Sequence, residues 1–185
     1  MEPGARRSFH IGRYHCTETI AVGPLGETFR AKVYGVAGLE RQYALKQVDA
    51  ALRVDPEVRQ RLIGAARQYA TLEHERIARL TEIGDDGDAL FLVTELARGI
   101  DLPRLVGHLR GRGETLPVEQ ALLIAADVAE ALGAALRPSD EVPTGVPHAG
   151  LHPGAISVLG EGEVRVCDFA IAEALARPGW GDEDA

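Results

Sequence analysis

The chain has 185 residues, with 20 Lys+Arg against 28 Asp+Glu, a formal net charge of −8 and a pI near 5.3. Hydrophobic residues make up 45% and charged residues 26%, close to the soluble globular average, which excludes disorder or a collagen-like repeat for the chain as a whole. An acidic balance argues against general nucleic-acid binding, which calls for a basic face, and the length suits one domain or two small lobes.

Residues 1–10 carry Arg6 and Arg7 with no apolar run behind them, so they read as an N-terminal tail and not a signal peptide. From Arg13 to Val48 the pattern is β. Ile20 to Gly26 reads as a glycine-containing loop. Thr28 to Tyr34 alternates and is rich in β-branched and aromatic residues, and Gln42 to Val48 follows after a turn. Asp55-Pro56-Glu57 marks a helix start: an N-cap acid, proline at the first helical position and a second acid near the positive end of the dipole. Val58, Leu62, Ala65/Ala66, Tyr69 and Leu72 then recur at helical spacing. Ala89 to Glu95 is a continuous apolar run, predicted to be a buried strand, after the polar turn Gly84 to Asp88.

Beyond Gly99 the character turns helical. Leu102 to Leu109 is a short helix stopped by Gly111-Arg112-Gly113. Pro117 and Glu119 open a long helix with Val118, Ala121/Leu122, Ala125, Val128/Ala129, Leu132 and Ala135/Leu136 on one face. After a polar loop over 138–147, Ile156 to Leu159 and Glu163 to Cys167 form a hairpin about Gly160-Glu161-Gly162. Residues 177–185 are a Gly/Pro/acid-rich tail. No stretch approaches the roughly 18 uncharged apolar residues of a membrane span, so no membrane partner is expected. Cys16 and Cys167 are far apart and in no metal-like spacing, which indicates neither a disulfide framework nor a zinc site and leaves a reduced, cytoplasmic setting as the expectation.

Only Lys32 and Lys46 are lysine; the other 18 basic residues are arginine. Lysine is a compact point charge that fits where a planar guanidinium does not. On its strand alone, Tyr43-Ala44-Leu45-Lys46-Gln47-Val48, Lys46 reads as an edge-strand residue with its ammonium in water.

Six segments in order change that reading. Ala21-Val22-Gly23-Pro24-Leu25-Gly26-Glu27-Thr28 resembles the glycine-rich phosphate loop of protein kinases, and Tyr43-Ala44-Leu45-Lys46 their third-strand lysine motif. Leu72 to Ile77 is similar to the segment after their C helix, and Leu92-Val93-Thr94-Glu95-Leu96 to the strand entering the hinge. Pro147 to Ile156 stands at the catalytic loop, and Val166-Cys167-Asp168-Phe169-Ala170 at the metal-binding Asp-Phe-Gly. Each motif alone is weak; together, over Ile11 to Ala176, they identify the chain as similar to bacterial Ser/Thr protein kinases. The resemblance implies an α+β, protein-kinase-like fold: an antiparallel β-rich N-lobe with one C-type helix and hinge (11–97), and a mainly helical, truncated C-lobe (98–176). It implies that Gly23, Gly26, Lys46, Glu95 and Ala97 contact nucleotide and that Asp168 holds magnesium. Lys46 and Asp168 would pair when no nucleotide is present.

The departures concern the chemistry. Ala65 stands where the C-helix glutamate should position Lys46, Gly150 where the aspartate should accept the substrate proton, and Ala155 where the asparagine should hold a second metal. Ala149, His152, Ala21 and Ala170 depart as well. Positioning and charge neutralisation are what phosphoryl transfer depends on, so these losses point to a catalytically inactive pseudokinase, a regulatory or binding module with ATP and Mg2+ bound weakly or not at all. The alternatives are an atypical Ser/Thr kinase using an unusual base, for which His148 and His152 are the candidates, and a structural interaction module without nucleotide. As His148 occupies a structural position in the family, it is expected to pack against the Asp-Phe segment. The counterparts of the activation segment and later helices are missing from the pattern, so the apolar face of the long helix is expected to meet a protein partner or a second copy of the chain.

Overall fold

The computed structural model describes residues 8–175; most of the N-terminal tail and the acidic segment 177–185 lie outside the described residues. The chain runs β1 (Phe9–Ile11), β2 (Tyr14–Gly23), β3 (Gly26–Tyr34), a 3-10 turn at Val36–Gly38, β4 (Glu40–Val48), α1 (Ala50–Arg53), α2 (Pro56–Ala70), β5 (Leu80–Asp85) and β6 (Leu90–Glu95). It continues through β7 (Gly99–Asp101), α3 (Leu102–Gly111), α4 (Val118–Ala135), a 3-10 turn at Pro153–Ala155, β8 (Ile156–Leu159), β9 (Val164–Val166) and α5 (Ile171–Leu175). Two compact units result: one takes the chain up to Gln60 with Leu80–Leu96, the other Arg61–Arg79 with Ala97 onward.

The first unit is an antiparallel sheet of six strands in the order β1-β2-β3-β4-β6-β5. β1 takes in Phe9 and His10, residues that the sequence reads as tail. Alternation along β1 to β4 sends Ile11, Tyr14, Cys16, Phe29, Ala31 and Leu45 to one face, where they meet Ala89, Phe91 and Val93. Tyr14 is the hub. Its ring lies edge-on to Tyr43 and Phe91 at centroid distances of 5.8 and 6.0 Å, while its hydroxyl donates to Glu82, which also accepts from Arg13. Burial lifts the Cys16 thiol to about 11, so it behaves as a small hydrophobe and not as a reactive thiolate.

The helix start at Asp55 has its expected mechanism. The Asp55 carboxylate accepts from the backbone N–H groups of Glu57 at 2.9 Å and Val58 at 3.2 Å, a cap worth about 1 kcal/mol. α2 buries Val58, Leu62, Ala66 and Tyr69; Ala65 sits half-buried at the edge of that face.

In the second unit, β7, β8 and β9 form a three-stranded sheet. Residues 76–78 extend it beside β9: Val166 N–H donates to the Arg76 carbonyl at 2.8 Å and Ala78 N–H to the Val166 carbonyl at 2.9 Å. The Tyr69 hydroxyl donates to the Ala78 carbonyl from the end of α2. Arg76 binds α4 through Asp127 at 3.1 Å and Glu130 at 2.7 Å, and its hydrogen bond to Glu130 holds that carboxyl below its ordinary range.

The stripe read on α4 holds at Val128 and Ala135 and is corrected elsewhere. Ile124, Val128, Ala131 and Ala135 are buried, whereas Val118, Leu122 and Leu136 are 69%, 64% and 52% exposed. Leu122-Leu123-Ile124-Ala125-Ala126 is apolar around most of the helix, so periodicity alone does not set which stripe turns inward.

Candidate functional site

The expected site residues fall on both units. In the first, the glycine segment is no loop: β2 and β3 run to Gly23 and Gly26, paired across the two-residue turn Pro24-Leu25. Leu25 is buried, and its carbonyl accepts from Asp49 N–H at 2.8 Å. The two glycines then differ. Gly26 has φ 142°, and a Cβ there would lie 2.0 Å from the Gln47 carbonyl oxygen. Gly23 has nothing within 4 Å of an added Cβ, which leaves the hairpin tip open on that side. Gly26 is therefore fixed by folding itself, whereas the backbone at Gly23 is left open.

Register places Lys46 in the same sheet row as Thr28, Ala21 and Leu92, so these side chains project to one face. Glu95 ends β6 opposite Tyr43 and is exposed; the Ala97 carbonyl already accepts from Gly99 N–H at 2.9 Å. Lys46 is half-buried in this row of the sheet, and Ala65, on α2, carries only a methyl.

The second unit holds residues 147–175, where three non-glycine residues adopt left-handed backbone: Ala149 at φ 59°, Asp168 at 68° and Ala170 at 60°. Such conformations cost about 1 kcal/mol or more each for alanine and collect at sites that the surrounding packing over-determines. The anchor is Phe169. It is fully buried, with its ring 4.7 Å from His148 and 5.8 Å from Tyr69. Ala170 N–H donates to the Pro147 carbonyl at 3.1 Å, and Cys167 N–H to the Ala155 carbonyl at 3.0 Å. The Asp-Phe segment and the catalytic-loop segment are therefore stitched together, with His148 packed on Phe169 as the resemblance implies.

The other departures are structural in kind. Ala155 is a fully buried methyl with no donor oxygen. His152 caps the 3-10 turn, its Nδ1 accepting from Gly154 N–H at 3.1 Å. Gly150 has no side chain, and a Cβ there would lie 2.3 Å from the Ala172 Cβ. That contact comes from α5, an element the sequence reading missed. Its signal is short but present: Ile171 to Leu175 is a run of good helix formers, and Ile171 and Ala174, three apart, are the buried pair.

Burial depresses the pKa of His148, against weaker upward pulls from the His148 and Cys167 backbone and the Asp168 carboxylate. The folded pKa lies below the unfolded value of about 6.5. As pH falls through 6.5 the unfolded chain binds a proton that the folded chain refuses, so stability is full above that pH and declines below it. Thermal unfolding scanned from pH 7.5 to 5.5 is expected to show a falling Tm, with part of the slope removed by His148→Gln; identical slopes for the two proteins refute this.

The antiparallel sheet carrying Lys46, with an Asp-Phe segment locked to a histidine-containing loop in the second unit, defines a protein-kinase-like domain. The family described as protein tyrosine and serine/threonine kinase matches residues 14–179, and the chain belongs to it. It is 29% identical over 171 residues to the tyrosine-protein kinase MasK of Myxococcus xanthus and 31% identical over 169 residues to the serine/threonine-protein kinase PknA of Mycobacterium tuberculosis. These alignments cover 90% and 89% of this chain but 26% and 36% of the relatives. The fold matches a crystal structure of the PknI kinase domain of Mycobacterium tuberculosis at a TM-score of 0.70 and 23% identity, covering 92% of this chain and 64% of that one. Among the described residues, no helix is long and apolar enough to cross a membrane.

Proposed function

We propose that this kinase-family domain is a pseudokinase: a regulatory or binding module that transfers no phosphate. One observation supports the reading: the catalytic-loop segment carries no carboxylate where the family's aspartate would take the proton of an acceptor hydroxyl. Gly150 is bare, Ala155 is a buried methyl, His152 Nδ1 accepts from Gly154 N–H in the cap of the 3-10 turn, and His148 is buried against Phe169. General-base positioning contributes about 10²–10⁴-fold to such reactions, and the missing metal ligand removes further charge stabilisation.

Nucleotide binding is a separate question. The open backbone at Gly23 and the compact cation of Lys46 suit phosphate oxygens. Magnesium prefers carboxylate and phosphate oxygens. Asp168 would supply one carboxylate, and no group of three or more His, Cys, Asp or Glu suited to a metal occurs among the described residues. Any magnesium would therefore depend on the nucleotide's phosphates and water for its remaining ligands. When bound, the ion would neutralise phosphate charge; Lys46 would orient the phosphates. The exposed Val118, Leu122 and Leu136 of α4 suit a module that works by binding another protein or a second copy of itself.

Incubation with ATP, Mg2+ and a generic protein substrate is expected to leave both proteins unphosphorylated. Detectable transfer that disappears in Lys46→Met overturns the reading in favour of an atypical kinase. A thermal shift with ATP and Mg2+ that collapses in Asp168→Ala identifies a nucleotide-holding module; no shift identifies one that works without nucleotide.

A further inference from the structure

We propose that α5 is a self-docked plug: Ala172 fills the volume that any side chain at position 150 would need, closing the catalytic-loop segment with the chain's own next helix. The inference rests on the pseudokinase reading and deepens it, turning a lost aspartate into a position that packing keeps bare.

The geometry is specific. Gly150 does not lie in the left-handed region, so its backbone would accept alanine; the obstacle is the Ala172 Cβ, 2.3 Å from where the new Cβ would stand. Real Cβ atoms do not approach this closely, and the opposing atom sits at the root of a helix residue, not at the end of a flexible chain. α5 has little freedom to withdraw. Its own Ile171 and Ala174 and the preceding Phe169 and Ala170 are buried, and Ala170 N–H is tied to the Pro147 carbonyl on the loop that carries Gly150. A methyl at 172 and a hydrogen at 150 are thus matched partners. A larger residue at 150 displaces α5, and a smaller one at 172 opens space over the loop.

The test is a double-mutant cycle read by stability and amide exchange, independent of any activity. Gly150→Ala is expected to lower Tm by roughly 3–10 °C and to speed exchange in 168–175 about tenfold. Ala172→Gly alone is expected to cost a few degrees and to raise exchange at 148–150. In the Ala172→Gly background, Gly150→Ala is expected to cost nothing further. If Gly150→Ala alone does not fold, the double variant is expected to fold, and its failure overturns the proposal. Equal costs of Gly150→Ala in both backgrounds, or no cost in either, also overturn it. Because the cycle involves no phosphate transfer, it can fail while the pseudokinase reading stands, and transfer by the unmodified protein can sink that reading while the cycle holds.

Discussion

Gly26→Ala is expected to cost about 3–5 kcal/mol, a large share of the roughly 5–15 kcal/mol that holds a domain folded, while Gly23→Ala three residues away stays within about 0.5 kcal/mol of the parent protein. Two independent penalties add at Gly26. Its φ of 142° belongs to a region essentially restricted to glycine, and an added Cβ would stand 2.0 Å from the Gln47 oxygen and 2.9 Å from the Asp49 nitrogen, both backbone atoms. Relief would require β3 to part from the end of β4, where Gly26 pairs with Val48. Gly23 has no such neighbour and no left-handed φ. Urea titration followed by circular dichroism separates the two variants, and similar midpoints would refute the distinction. The comparison also sorts the two roles: a Gly23→Ala protein that folds normally but loses an ATP-induced thermal shift marks that glycine as the phosphate-facing one.

Phe169→Ala is expected to cost 3–5 kcal/mol in the second unit. The ring is fully buried, lies 4.7 Å from His148 and 5.8 Å from Tyr69, and belongs to a segment whose flanking residues, Asp168 and Ala170, hold left-handed backbone. Removing it leaves a cavity and also withdraws the packing that offsets the strain beside it, so the loss belongs at the upper end of the range. Tm is expected to fall by about 10 °C or more, with amide exchange rising across 148–170. Phe169→Leu, which refills most of the volume, is expected to recover most of the loss. Should leucine do no better than alanine, ring packing is not what holds the segment.

The order of motifs was legible because each depends on one or two chemically irreplaceable residues: Lys46 in its strand, Asp168 before Phe169, and Asp55-Pro56 at the head of α2. The β8–β9 hairpin was legible from its glycine-bounded turn. What escaped has physical causes. Alanines and leucines surround α4, so its buried stripe was set by tertiary packing and not by pattern. β5, Leu80-Thr81-Glu82-Ile83-Gly84-Asp85, is half-polar because only Leu80 is buried while Glu82 serves Arg13 and Tyr14. At the site, the resemblance proposed the same role for Gly23 and Gly26, and only the backbone contacts of Gly26 reveal that it is needed for folding. The three-residue bury-and-repeat of α5 was too short to register.

The contact between Gly150 and Ala172 bears on how such a chain can change over generations. A side chain such as aspartate introduced at position 150 would meet the Ala172 Cβ and is expected to destabilise the second unit. A glycine arriving first at 172 would loosen α5 with nothing gained. On the packing proposed above, a larger residue at 150 or a smaller one at 172 would each cost stability when introduced alone, so the two positions are expected to change together. Selection for a folded protein would by itself then favour glycine at 150 for as long as Ala172 packs against it.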